Sequence, residues 1–378
     1  NSFLVIILLV AISSISAFAQ SIEFQHYNDK DGLSHNSIRH IVQDNQGLLW
    51  LGTFNGLNRF DGFQFQNYLS NEEGKNTIPD DDITAVKLDR ATNGLWIGTR
   101  KGLSHLDLET QVFTTYFSDA NDINSLPDEE VRAVYVDNFG RIWVGTKDAG
   151  LYMFEPDKKT FTKVPLDGFN YVKEIFEDKS GNIWVGSYDT AGVAKIKLGS
   201  TGMISEIKYF TLPISGSTSV NPYLYFIYED GKGDIFVGTR RGLYKFDNAL
   251  ESFLNLRIAD DEVRGKLGPY FLSVAQAPDG KYWVGTLGGL LVCDALEDIQ
   301  KGNYQWYYSV LSEDKSLVDN LISALYFDPS GVLWIGTEEG LDKYDPYENQ
   351  FKIKKDISKY IQNQAPRIRG FAKTNLDE

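Results

Sequence analysis

The chain has 378 residues, a formal charge of −15, 42% hydrophobic residues and 13% aromatic ones. This much acid opposes a general attraction to nucleic acid or anionic lipid, and this much aromatic material belongs to a chain with an ordered core. A single cysteine, Cys293, excludes an intramolecular disulfide and reads as a small buried hydrophobe, while four scattered histidines (His26, His35, His40, His105) lack metal-ligand spacing.

In chain order, the first segment, NSFLVIILLVAISSISAFAQ, carries an apolar run from Phe3 to about Ile12, then small residues and an AxA site at Ala17, Phe18 and Ala19. That is the pattern of a secretory signal peptide cut before Gln20, so residues 1–19 are expected to be removed and the mature chain to be periplasmic. An uncleaved membrane anchor is the competing reading, although the run is short for a membrane span.

From residue 22 onward one unit dominates. LLWLGTFNGLNRFDG at 48–62 returns as LWIGTRKGLSHLD, IWVGTKDAGLYMF, IWVGSYDTAGVAKI, IFVGTRRGLYKFD, YWVGTLGGLLVCD and LWIGTEEGLDKYD. The first glycine of each copy is Gly52, Gly98, Gly145, Gly186, Gly238, Gly285 and Gly336, at intervals of 41 to 52 residues. Six of the seven tryptophans hold one place in the unit, Phe236 holds it in the fifth copy, and Trp306 alone lies off the frame.

Ahead of each copy stands a short segment with large apolar residues at i and i+3, from Ile38 and Ile41 to Ile322 and Leu325. These runs are rich in β-branched residues and end at turns such as DNQG, DKSG and DPSG, which favours strand over helix. A second glycine-closed turn, a third strand and an aromatic fourth strand follow. Four strands per unit and seven units predict an all-β fold, a seven-bladed β-propeller of four-stranded antiparallel blades over 20–357. Inner strands are expected to start near residues 37, 82, 130, 171, 223, 270 and 321, and 358–378 to form a linker and the start of a further, truncated repeat. Two readings of ring closure stand: IEFQHY at 22–27 looks like an outer strand arriving early, yet 350–354 also looks like a fourth strand of the seventh unit.

Most of the repeated motif reads as framework. Trp50 is expected to wedge between blades, Gly52 to permit close backbone approach, Thr53 to bond within its turn, and Gly56 to take a positive φ. The turn aspartates (Asp44, Asp137, Asp178, Asp230, Asp328) invite a calcium reading, but each turn offers about one carboxylate where calcium takes six to eight oxygens. An Asp capping its own turn is the simpler reading, so no metal and no cofactor are assigned. His35 and His40 bracket the first inner strand, but no GxSxG-like elbow accompanies them and no catalytic residue is assigned.

Variation concentrates at the loops entering the inner strands and at the turns between strands two and three, which share one face of a propeller disc. The candidate ligand residues there are Phe54, Asn55, Arg100, Lys101, Lys147, Tyr188, Tyr223, Arg240 and Arg241. The basic pairs suggest a clamp for carboxylate or sulfate groups of an acidic oligosaccharide, with Tyr188 or Tyr223 stacking on a sugar ring; solvated hairpin tips are the plain alternative. A further row near the channel, Arg39, Thr84, Arg132, Lys173, Tyr225, Leu272 and Ser323, is mostly polar.

DGLSHNSIRHIVQDNQGLLWLGTFNGLNRFDGFQF at 31–65 resembles an opening repeat of the two-component regulator propeller family found in bacterial periplasmic sensors, and the likeness recurs in all seven units. The resemblance implies a longer parent protein with a second propeller, a tyrosine-rich β-sandwich, a membrane helix and a cytoplasmic histidine kinase. Other members feed diguanylate cyclases. It also implies an oligosaccharide ligand, since relatives in gut and marine Bacteroidota sense polysaccharide fragments, and a homodimer as the full-length receptor. No phosphoacceptor or nucleotide-binding element is legible in these residues, so the chain itself is expected to sense rather than catalyse. A secreted propeller enzyme acting on glycans, as lyase or hydrolase, and a protein-interaction platform are the alternatives.

Overall fold

A computed structural model describes residues 22–347 apart from 189, 191, 201, 214–222, 259–264, 266, 267 and 269. The signal peptide at 1–19, the fourth strand read at 350–354 and the segment 358–378 lie outside the described residues.

The described chain forms seven four-stranded antiparallel sheets, the blades of a β-propeller. Blade 1 runs outward through Ile38–Gln43, Leu49–Thr53, Gly56–Phe60 and Phe65–Tyr68. The inner strands of blades 2 to 7 are Ile83–Asp89, Val131–Val136, Val172–Glu177, Leu224–Glu229, Phe271–Gln276 and Ile322–Phe327. Helix is represented by a 3₁₀ turn at Asp29–Asp31 and one turn at Asp298–Lys301.

Blade 7 takes three strands from the end of the ring, ending with Leu341–Tyr344, and its outer strand, Gln25–Tyr27, from the beginning. Gln25 pairs with Lys343, His26 with Asp342 and Tyr27 with Leu341, so the N-terminal strand closes the ring. A part-buried polar contact fixes this register: His26 Nδ1 lies 2.6 Å from Asp342 Oδ1, while Asp342 Oδ2 accepts the Val318 N–H at 2.9 Å.

The second strand is buried at every position in blade 1 and in its counterparts, which is why its sequence is continuously apolar rather than alternating. Its glycine is a socket for the next blade. A Cβ on Gly52 would stand 2.8 Å from Ile83 Cγ2, one on Gly145 2.6 Å from Val172 Cγ1, and one on Gly336 2.8 Å from Ile38 Cγ2, at the seam between last blade and first. The tryptophan beside it fills the same gap: Trp50 packs with Ile83 and Val86 of blade 2. Thr53 Oγ1 donates to the Gly56 carbonyl at 2.9 Å and accepts the Asn55 N–H at 3.1 Å, and Gly56 has φ +105°.

The turn aspartates are committed to the fold. Asp178 Oδ1 accepts the backbone N–H groups of Ser180 and Asn182 at 3.0 and 2.8 Å, and its Oδ2 accepts the Trp184 indole N–H at 2.8 Å. The same indole-to-carboxylate bond joins Trp50 to Asp44, Trp143 to Asp137 and Trp334 to Asp328. Among the described residues no group of three or more His, Cys, Asp or Glu is placed to hold a metal ion. Cys293 is buried, which pushes its thiol up to about 12.

Every inner strand slips register at its second residue, and those residues are Arg39, Thr84, Arg132, Lys173, Tyr225, Leu272 and Ser323. The polar row is thus a ring of seven β-bulges. A bulge leaves one residue unpaired and re-aims its side chain; Thr84 and Ser323 use theirs to bond the next blade, at the Val131 and Ile38 carbonyls.

Candidate functional site

The turn between strands two and three is tied to the loop entering its own inner strand. Lys147 N donates to the Glu130 carbonyl, Tyr188 N to that of Tyr171 and Arg240 N to that of Tyr223, at 3.0, 3.0 and 2.9 Å. These two loop sets therefore form one face, and the Asp-turns form the other.

The nine candidate residues separate into groups. On blade 1, Phe54 lies under the Arg39 guanidinium at 3.3 Å and meets the His35 ring edge-on, and Asn55 Nδ2 donates to the Ser34 carbonyl at 3.4 Å. On blades 2 and 3 the cations are already matched by acids. Arg100 Nε stands 2.5 Å from Asp82 Oδ2, Lys101 Nζ 2.8 Å from Asp80, and Lys147 Nζ 2.6 Å from Glu130. Asp82 also binds Arg39, and Glu130 also binds Arg132. An incoming acidic group would have to displace these partners, so this part of the face is an ion-pair arc in which every named cation already has an acidic contact, and the clamp role fits it poorly.

On blades 4 to 6 the arrangement is different. Tyr171 stacks on Tyr188 at 4.7 Å, and Tyr188 on Tyr223 at 4.2 Å with 12° between the planes. Arg240 then sits between Tyr223 and Tyr270, its guanidinium carbon 5.3 and 5.2 Å from the two ring centres, and Arg132 caps the other end at 5.4 Å from Tyr171. The result is one stacked strip, Arg132, Tyr171, Tyr188, Tyr223, Arg240, Tyr270, drawn from four blades. Burial raises the phenols of Tyr171 and Tyr188 above the ordinary tyrosine range, so they stay protonated donors. Among the described residues no carboxylate lies within ion-pair distance of Arg240.

The strip corrects the role expected for Tyr188 and Tyr223. Each gives its ring face to the other, so the strip offers edges, hydroxyls and the Arg240 N–H groups to a ligand, in place of an open stacking platform. Arg241 lies on the same turn, its backbone N–H bonded to Thr239 Oγ1 at 2.9 Å, and is not part of the stack. Tyr171, Tyr270 and Arg132 complete the strip and were not among the candidates. A signal for two of them was present: Tyr171, Tyr223 and Tyr270 all occupy the position just before an inner strand.

The fold and its two unlike faces define the class: a seven-bladed propeller with one invariant framework face and one variable face. The chain carries repeats of the two component regulator propeller family, whose model matches residues 32–55, 125–148, 168–189 and 316–339. A curated relative, Histidine kinase P4 of Formosa agariphila, is 40% identical over 76 residues, which are 20% of this chain and 6% of that protein. The extracellular domain assigned to the hybrid two component system BT3049 of B. thetaiotaomicron superposes with a TM-score of 0.71 at 25% identity, over 86% of this chain and 42% of that one. The chain thus spans less than half the length of either. Virginiamycin B lyase of Staphylococcus aureus shares the fold alone, with a TM-score of 0.61 at 11% identity over 85% of this chain and 98% of the lyase. No helix among the described residues is long and apolar enough to cross a membrane.

Proposed function

We propose that this propeller is the extracytoplasmic ligand-sensing part of a two-component receptor, exported by its first 19 residues, and that it binds an oligosaccharide along the variable face without turning it over. The full receptor would then carry a further propeller, a membrane helix and an output domain, and act as a homodimer. The likeness to BT3049 and to a histidine kinase supports the receptor role. One observation carries the choice of surface: six side chains from four blades form a continuous, half-buried strip in which Arg240, unlike Arg132, has no carboxylate within ion-pair distance among the described residues, in a chain of charge −15. Sugars are recognised by directional hydrogen bonds from rigid donors, and the stack holds these donors in place before a ligand arrives.

The test is calorimetric titration with a panel of neutral and acidic oligosaccharides. For a ligand that binds, Arg240→Ala should weaken affinity by roughly 10- to 100-fold, the worth of about 1.5–3 kcal/mol for a hydrogen bond to a charged group. Lys158→Gln, an exposed lysine on the third blade's outer hairpin, should bind as the parent does. Unchanged affinity in Arg240→Ala would refute the placement of the site.

A further inference from the structure

The channel on the ring axis is lined unevenly. Blades 1 to 4 present Arg39, His40, Lys87, Arg132, Lys173 and Glu174 beside one tyrosine, Tyr135, whereas blades 5 to 7 present Tyr225, Tyr228 and Tyr326 at corresponding registers. Beside the charged wall is a cavity of about 230 Å³ lined by His40, Lys87, Arg132, Lys173 and Glu174 among others. That is room for about seven waters at ~30 Å³ each.

Not all of these cations are ion-paired. Arg39 and Arg132 have Asp82 and Glu130, although the Nε–H of each is buried without a partner. Lys87 lies 4.1 Å over the Tyr135 ring and has no carboxylate within ion-pair distance among the described residues. Lys173 and Glu174 make no side-chain hydrogen bond or ion pair among the described residues. They influence each other only through space, with burial as the larger effect: it lowers the Lys173 ammonium and raises the Glu174 carboxyl to about 7. His40, facing Lys173 and Arg39, is pushed down to about 3, chiefly by burial, and is neutral. Lys87 and Lys173, both half-buried, thus face Glu174, and Lys87 also Glu177, through space rather than in ion pairs, and charge withdrawn from water without a contact partner is costly.

We propose that this channel cavity is a binding site for a single anionic group of sulfate or carboxylate type, held by Lys173 and Lys87, with the free Nε–H of Arg132 at its rim. Glu174 competes with the anion for the same ammonium groups, which makes its removal diagnostic. Arg132 belongs to both the cavity wall and the aromatic strip. An acidic substituent of a sugar lying on the strip could therefore dip into the channel, and that source, unlike a free anion, rests on the oligosaccharide reading above.

The experiment is calorimetry at constant ionic strength, balanced with chloride, using inorganic sulfate, a uronate disaccharide and its neutral counterpart. Sulfate should bind the parent chain, at least tenfold more weakly to Lys173→Gln, severalfold more tightly to Glu174→Gln, and within twofold of the parent to Lys158→Gln. Thermal midpoints confirm that each variant is folded. A uronate that binds more tightly than both sulfate and its neutral counterpart identifies the sugar as the source; a uronate no tighter than sulfate identifies a free anion. The site is overturned if sulfate does not bind the parent, or if the Lys173 and Glu174 variants bind alike. Oligosaccharide binding that still depends on Arg240 would then leave the proposed function standing.

Discussion

Replacing Asp178 by Ala tests the claim that the repeated aspartates are structural. The carboxylate accepts the Ser180 and Asn182 backbone N–H groups, the Asn182 amide and the Trp184 indole. Ser180 is exposed, so its N–H regains a water partner, but Trp184 is 1% exposed and its indole N–H does not. Losing a hydrogen bond to a charged acceptor and stranding a buried donor should together cost about 3 kcal/mol. The partner change, Trp184→Phe, reproduces the pairing that blade 5 carries naturally in Asp230 and Phe236. Because the two side chains touch, the double variant should be less unstable than the sum of the singles, by ~1–2 kcal/mol. Urea unfolding followed by circular dichroism reads all four corners of the cycle, provided the slope with denaturant is unchanged. Strict additivity, or an Asp178→Ala cost below about 0.5 kcal/mol, would refute the clasp; added calcium should move none of the midpoints.

Two further outcomes follow from the packing. Gly145→Ala places a methyl 2.6 Å from Val172 Cγ1 and 3.1 Å from Ala133 Cβ, short side chains that cannot swing aside. It should cost ~1–3 kcal/mol by chemical denaturation, and a neutral result would contradict the socket. At the closure, the hydrogen bond to Asp342 raises the His26 imidazole above its usual 6.5. Its stabilisation is complete below that ordinary value and is lost as pH rises through the raised one. Asp342 is itself raised, chiefly by burial. The stability gap between the parent and His26→Gln should therefore shrink as pH climbs through and above neutrality, and a gap that stays flat would dismiss the latch.

The framework was legible because its residues repeat: Trp50, Gly52 and Thr53 solve one packing problem that recurs at every blade. Closure was not, since the pairing of Tyr27 with Leu341 is a contact across the whole ring that no local pattern encodes. The basic pairs at Arg100 and Lys101 looked available because their partners, Asp82 and Asp80, lie about twenty positions earlier, in another loop of the same blade. The bulges depend on strand register, so Arg132 and Lys173 read only as polar residues on a strand. Tyr171 and Tyr270 were within reach, for they share the frame position of Tyr223.

The most direct test of the central claim, that one face recognises and the other supports, is amide hydrogen exchange with and without a bound oligosaccharide. Protection should appear at the loops carrying Tyr171, Tyr188, Tyr223, Arg240 and Tyr270, and the Asp-turns at Asp137, Asp178 and Asp230 should exchange as before. Protection confined to the Asp-turns, or to the outer strands, would contradict it.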